Sequence, residues 1–457
     1  MRQNTPYNFE ERVELLASLL SEKKFLDLAS LLNRTNPIDI EEFISSLSDE
    51  DAVIVFRLLK KDDAAEVFAE LDHDQKQKLL SGITDLEVDN IFKDMNFDDM
   101  IDTLEEMPAS FVKRVLTKSD NETRKLVNEF LNFPEDSAGS LMTTEYVELK
   151  EHFTVGDALD LIKEIGTNKT TIYTCYVTGV GKKLLGFVSL RTLVTSDRDI
   201  MVKDLMYEDI ITIETHDDQE DVAKQFTRYG FTSLPVVDSE RRMVGIITVD
   251  DIFDVMEEET TEDFQKMAAT TPDEGEYLDT SVWKLARNRL PWLLFLMVSG
   301  SFTSTILKNY ERLIQSLIAL NIFVPMLTDS GGNAGSQSST LVIRGMATGE
   351  IDTGKDWLKV VFKELRVGLL SGVIMGVVAA LKCILFDKVD FEIGLIVGIT
   401  ILVIITLAKL VGATLPMLAN KLKFDPAIMA SPLITTIVDS IGLVCYFEVA
   451  KVIMDIY

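Results

Sequence analysis

Cysteine and histidine are scarce in this chain of 457 residues. Its three cysteines (Cys175, Cys383, Cys445) stand far apart with no C-x-x-C spacing, so neither a disulfide framework nor a zinc knuckle is expected. Three histidines (His73, His152, His216) are too few for a histidine-rich transition-metal site. There is no G-x-x-x-x-G-K-[ST] loop and no H-E-x-x-H, so an enzyme is not expected. Basic residues are outnumbered 45 to 74, a formal charge of -29, which excludes a basic stripe for nucleic acid. The opening MRQNTPYNFEERVELL lacks an apolar core, so no cleavable leader is expected.

Charge and apolar character are both abundant, but they are kept apart. Residues 281–457 carry 16 basic and 13 acidic side chains, a net of +3. That leaves 29 basic and 61 acidic in residues 1–280, a net of -32. The chain reads as an acidic soluble half followed by a near-neutral apolar half.

The apolar half contains five stretches long enough to cross a bilayer, which takes about 20 apolar residues in a helix. They lie near Leu290–Leu307, Leu313–Ile343, Val361–Phe386, Ile393–Leu418 and Ala427–Ile456. Lys284, Arg287 and Arg289 precede the first, basic residues cluster between 344 and 366, and Lys421 and Lys423 precede the last. The positive-inside rule then places the acidic half in the cytoplasm and the C-terminus outside.

Polar residues inside such stretches are costly and therefore informative. The second stretch contains PMLTDSGGNAGSQSSTLVIRG, from Pro325 to Gly345. Pro325 and the glycine run are expected to break it, and Gly331, Gly332 and Gly335 either unwind the helix or admit a close neighbour. Asp329, Asn333, Gln337 and Ser338 add oxygen donors. In the last stretch Asp439 follows Asp425 by 14 residues, about 21 Å on a continuous helix. Asp425 then sits at the cytoplasmic mouth and Asp439 near mid-membrane. No Arg or Lys within the stretches is expected to neutralise Asp439, since Arg344 falls at a cytoplasmic end.

The soluble half begins with short amphipathic helices over residues 1–132, read as two or three helix pairs of a small superhelix. Residues 137–256 hold an internal repeat. Each copy offers a strand (YVEL, IITI), a helix (VGDALDLIKEI, QEDVAKQFTRY), a short strand (Thr174–Val177, Leu234–Val237), another (Gly186–Leu190, Gly245–Val249) and a closing helix. An acidic segment follows. Asp250, Asp251, Asp254, Glu257, Glu258, Glu259, Glu262 and Asp263 fall within 14 residues, and 251, 254, 258 and 262 share one helix face. Like charges so spaced destabilise a bare helix, and cation binding to the run is expected.

The repeat resembles a tandem CBS pair. The whole chain is similar to the MgtE family of magnesium channels and transporters, most specifically in PMLTDSGGNAGSQSSTLVIRG and DPAIMASPLITTIVDS. The resemblance implies a multidomain fold: an α-helical N-domain (1–132), two α/β CBS copies (133–200 and 201–257), an acidic connecting or plug helix (258–284) and an all-α five-span membrane domain (285–457). It implies a homodimer in the plasma membrane, joined through its membrane and CBS domains, with a pore on the two-fold axis. Asp439 matches the family's pore aspartate, while Asp425, Ala427 and the Pro432 region match the cytoplasmic side of the path. Ser431 stands where the family often has Asn. Some relatives bind ATP through a Ser-Leu-Arg-Asp run; here the run is Ser189-Leu190-Arg191-Thr192, with Thr174 at an aromatic position and Phe231 kept. That departure argues against a nucleotide.

Mg²⁺ is the expected cargo and regulatory ion, a hard cation that keeps its waters and prefers oxygen. Mn²⁺ and Co²⁺ accept the same ligands. High internal Mg²⁺ is expected to bridge the cytosolic carboxylates and close the pore. A proton- or sodium-coupled carrier, with Asp439 titrating, and a membrane-tethered metal sensor remain alternatives.

Overall fold

The computed structural model describes residues 9–273, 277–278, 280–316, 318–429 and 431–454. The chain divides into two compact units, one ending at Phe253 and the other starting at Asp254.

The first unit opens with ten short helices from Phe9 to Phe130, most of eight to ten residues. Two or three helix pairs were expected, and the described residues hold five pairs' worth. Helices of two to three turns cannot persist alone, so they are held by their neighbours and, at several N-termini, by a side-chain cap. Asn36 accepts from the Ile38 N–H, Asp72 accepts from Gln75, and Thr84 with Glu87 forms a reciprocal capping box. Phe56, Phe68, Phe92 and Phe111 then stack in series, with centroids 6.3, 6.2 and 5.7 Å apart, giving the superhelix an aromatic spine. Ion pairs cross between successive layers on its surface, Arg57–Glu87 at 2.9 Å and Lys118–Asp89 at 2.8 Å.

The expected repeat is present in full. In the first copy β1 (Val147–Lys150) runs parallel to β2 (Thr174–Thr178), which pairs antiparallel with β3 (Leu184–Ser189). In the second, β4 (Ile213–Glu214), β5 (Ser233–Val237) and β6 (Met243–Thr248) repeat that order. The crossover helices are Val155–Ile165 and Gln219–Tyr229. The copies are tied together by backbone exchange between Thr143 and Ile246 and by the buried Tyr176 and Ser233 hydroxyls, 3.0 Å apart. Gly245 is required at this seam, because a Cβ there would lie 2.7 Å from the Thr143 carbonyl oxygen.

The acidic helix α1 spans Val249–Met267. It starts within the closing helix of the second copy rather than at 258, and it stops well short of 284. Continuity with Thr248 gives it a built-in cap.

The second unit contains α2 (Val282–Asn309), α3 (Ile318–Ala347), α4 (Trp357–Leu385), α5 (Phe391–Lys421) and α6 (Ser431–Met454). Four segments are long and apolar enough to cross a membrane: Val282–Asn309, Trp357–Leu385, Phe391–Lys421 and Pro426–Met454. The expected second span, α3, is not among them. It has the length, 30 residues, but its polar run dilutes its apolar character. α3 is also unbroken, passing through Pro325 and the glycines as one helix.

The glycines serve close packing rather than unwinding. A Cβ on Gly331 would meet Ile404 and Val438, and one on Gly332 would meet Thr435. At Gly412 a Cβ would fall on the Gly335 carbonyl, and Gly376 and Gly398 approach one another similarly. Lipid supplies no hydrophobic driving force between helices, so contacts of this kind hold them together. α5 is the most enclosed helix, with Ile401, Ile404, Ile405 and Ala408 buried along it.

Candidate cation site

The two faces of α3 differ sharply. Gly331, Gly332, Gly335, Ser338 and Ser339 are buried against neighbouring helices. Asp329, Asn333, Gln337, Thr340 and Arg344 are exposed, at spacings of four, four, three and four residues. That spacing places them in one stripe along the helix. Small residues on one face seat the helix, and the opposite face of a membrane-length helix is left polar.

α6 packs on the small-residue face, with Val438 against Gly331 and Thr435 against Gly332, and Asp439 is half-buried. The Asp439 Oδ1 atom is buried and has no hydrogen-bond partner among the described residues. An unpaired buried carboxylate oxygen is costly, and a cation would relieve that cost. Asp329 on α3 is the charged neighbour whose field reaches Asp439. Among the described residues, neither carboxylate has a basic partner within ion-pair distance.

Asp425 and Ala427 lie in a turn and not on a helix. The Ala427 N–H donates to Asp425 Oδ1 at 2.8 Å, and a short 3-10 turn, Pro426–Met429, follows. The regular helix begins only at Ser431, so Asp439 lies about 12 Å into it. The side chain of Ser431 lies outside the described residues. Asp425 has a partner that the sequence did not suggest: Lys266 on α1 bridges Asp425 Oδ2 and Glu262 Oε1, each at 2.6 Å. Burial works against the charged ammonium, but its hydrogen bonds to Asp425 and Glu262 prevail and hold its pKa above the usual value.

The acidic run is spread around α1 rather than gathered. Ile252 and Val255 occupy its buried face, while Asp250, Asp254, Glu257 and Glu258 are exposed, and Glu259, Glu262 and Asp263 are half-buried. Asp251 turns back to cap its own helix, accepting from the Thr248 N–H at 3.1 Å and hydroxyl at 2.6 Å. Burial raises its pKa to about 6 against those bonds, with help from the charges of Asp250 and Asp99. Asp99 is also raised by burial and by Asp250, and Glu145 by burial and by Asp99. The fold therefore gathers Asp99, Asp250, Asp251 and Glu145, of which sequence reasoning had named only two. Among the described residues, no three Asp, Glu, His or Cys side chains converge as a metal cage.

Lys409 is a basic residue inside an apolar stretch that sequence reasoning did not single out. It sits within α5, only 6% exposed, and its Nζ donates to Gln337 Oε1 at 3.4 Å. Ser338 donates to Glu364 on α4. Gln337 and Ser338 are therefore committed to neighbours and are not free oxygen donors. The signal was a single Lys in LVIITLAKLVGATL.

A superhelical acidic domain, a CBS-like pair and a helical region with membrane-length helices are the parts of a multidomain membrane protein. Comparison with known proteins gives the same class. The family described as a divalent cation transporter, MgtE, matches residues 324–449, the MgtE intracellular N domain matches 35–136, and CBS domains match 138–199 and 202–258. The magnesium transporter MgtE of Thermus thermophilus is 38% identical over 368 residues, covering 79% of this chain and 80% of its own. That of Bacillus subtilis is 34% identical, covering 78% of each chain. The crystal structure of the cytosolic domain of the Mg²⁺ channel MgtE in complex with ATP superposes with a TM-score of 0.52 at 33% identity, covering 53% of this chain and 99% of that one. This chain belongs to the MgtE family and is a membrane protein.

Proposed function

We propose that the protein admits Mg²⁺ through the plasma membrane and is closed by cytosolic Mg²⁺. The observation that carries this is the buried, partnerless Oδ1 of Asp439, within the field of Asp329 on the polar stripe of α3. In a homodimer with a two-fold axis along that stripe, two Asp439 carboxylates and the Asn333 side chains would face one path. α3 then serves as a fifth span, its polar face turned to the path and not to lipid. Retained waters would let carboxylates and amides select the hydrated ion by size. The membrane potential suffices to drive entry, since about 2.3 kcal/mol per charge per 100 mV becomes roughly 4.6 for a divalent ion.

Closure rests on the acidic region. Carboxylates raised chiefly by burial and further by their neighbours' charge, such as Asp99 and Asp251 near Asp250, gain when a divalent ion arrives. Such an ion favours whichever state brings the carboxylates together, and several sites supply the differential affinity. The acidic residues of α1 (Asp254, Glu257, Glu258, Glu259, Glu262, Asp263) would take part through contacts in the assembled dimer. Mg²⁺ uptake into vesicles holding the purified protein tests the transport reading. Uptake without a proton or sodium gradient, lost in Asp439→Ala, is the expected result. Uptake that requires such a gradient would favour the coupled carrier, and undiminished uptake in Asp439→Ala would leave the membrane region as an anchor.

The related cytosolic domain binds ATP. Here the Ser189 and Thr192 hydroxyls lie 2.8 Å apart and the Thr192 N–H donates to Ser189, so the position of the relatives' Asp carries a neutral group turned onto its own helix cap. Weak or absent ATP binding follows. A rise in melting temperature with millimolar ATP would contradict it.

A further inference from the structure

Lys409 is a buried cation in a helix of membrane length, and the transport reading does not use it. It reaches α3 from behind. Its ammonium meets Gln337, whose own side chain belongs to the exposed stripe that carries Asn333 and Asp329. An ammonium has three donors, and Gln337 is its one recorded partner among the described residues. Among the described residues, no carboxylate lies within ion-pair distance of it. Glu364 on α4 accepts from Ser338, the residue that follows Gln337. A charge carried at this desolvation cost, one side chain from a polar face, has a field that water screens poorly.

We propose that Lys409 is a specificity-determining residue that sets how tightly the path holds a divalent cation. The inference rests on the transport reading above. A fixed positive charge raises the energy of any cation in the path, and it does so twice as strongly for a divalent as for a monovalent ion. Paired carboxylates alone would trap Mg²⁺. Conduction requires a site that attracts the ion and still releases it. Lys409 weakens the trap, and the negative charge of Glu364, bonded to α3 one residue from Gln337, acts in the opposite sense.

The sign of the effect separates charge from packing. Lys409→Gln keeps a donor for Gln337 but removes the charge. Its half-saturating Mg²⁺ concentration for uptake should fall roughly tenfold, with a lower maximal rate, while Na⁺ measured without Mg²⁺ shifts only about threefold, because the energy scales with valence. Lys409→Arg should remain close to wild type. Glu364→Gln should move half-saturation the other way, to weaker binding, which a general folding defect would not do. All variants are compared as full-length protein in vesicles, with assembly checked by size exclusion. Wild-type uptake with Lys409→Gln and Lys409→Arg shifted alike, or with neither shifted, overturns this inference and leaves the transport reading standing. No wild-type uptake overturns both.

Discussion

Asp439, Lys266 and Lys409 are the three side chains on which the account turns, and each is defined by its partners. Asp439 has a buried oxygen with none. Lys266 ties α1 to Asp425, at the turn that leads into α6. Both members of that pair are partly buried, 19% and 29% exposed, so it is stronger than a surface pair. Lys266→Met should loosen this tie by on the order of 1–2 kcal/mol, which shifts an open–closed balance by about tenfold. Half-closing cytosolic Mg²⁺ should rise accordingly in flux recordings, while an unchanged closing concentration would show that the pair is only surface decoration. Asp251 offers a pH test. Its folded pKa, about 6, lies above the ordinary 3.8, so the fold favours its protonated form. That contribution is full below about pH 4 and is lost as pH rises through about 6. Thermal unfolding of wild type should therefore show a fall in stability over this window that Asp251→Asn reduces.

Elements differ in how plainly the sequence announces them. The repeat was legible in order: both crossover helices match residue for residue and the strands lie within a few residues, the first strand of the second copy being Ile213–Glu214 and not 210–213. The N-terminal helices were legible in kind but not in number, because helices of about ten residues give too few turns for a periodic pattern to separate neighbours. Their stability comes from the aromatic spine. Phe68→Ala, at its buried centre, should cost about 3–5 kcal/mol and lower the melting temperature of the N-terminal region. A change within the error of the melt would mean that the spine packs without bearing stability. The continuity of α3 could not be read from sequence. Pro325 and three glycines predict a break in isolation, but α5 and α6 close onto the glycines and hold the helix together. Gly412→Val should disrupt that packing, because its Cβ would fall on the Gly335 carbonyl, and should reduce the assembled protein on size exclusion.

For the whole molecule, segregation of charge is the organising fact, and it was visible in composition. A half of net -32 and a half of net +3 correspond to the proposed regulatory and conducting parts. Less of the candidate site was visible. Asp439 and Asp425 were marked by their charge in an apolar context, and Ala427 only by the family resemblance. Asp99 and Glu145 were not, since nothing along the chain relates them to Asp250; only folding brings residues so far apart in sequence together. Lys409 was overlooked because one basic residue barely alters a long apolar stretch. Within the described residues of a single chain, no carboxylate cage is complete, which is the arrangement expected if divalent ions are held between parts that move or between subunits.

Single-channel recording is the most direct test of the central claim. Patches containing wild type and Asp439→Ala would be held with Mg²⁺ as the charge carrier, and Mg²⁺ at the cytosolic face stepped from zero to about 10 mM, enough to saturate carboxylate sites of modest affinity. The account predicts discrete openings that close as cytosolic Mg²⁺ rises and that are absent in Asp439→Ala. Openings that persist in Asp439→Ala, or wild-type openings indifferent to cytosolic Mg²⁺, would contradict it.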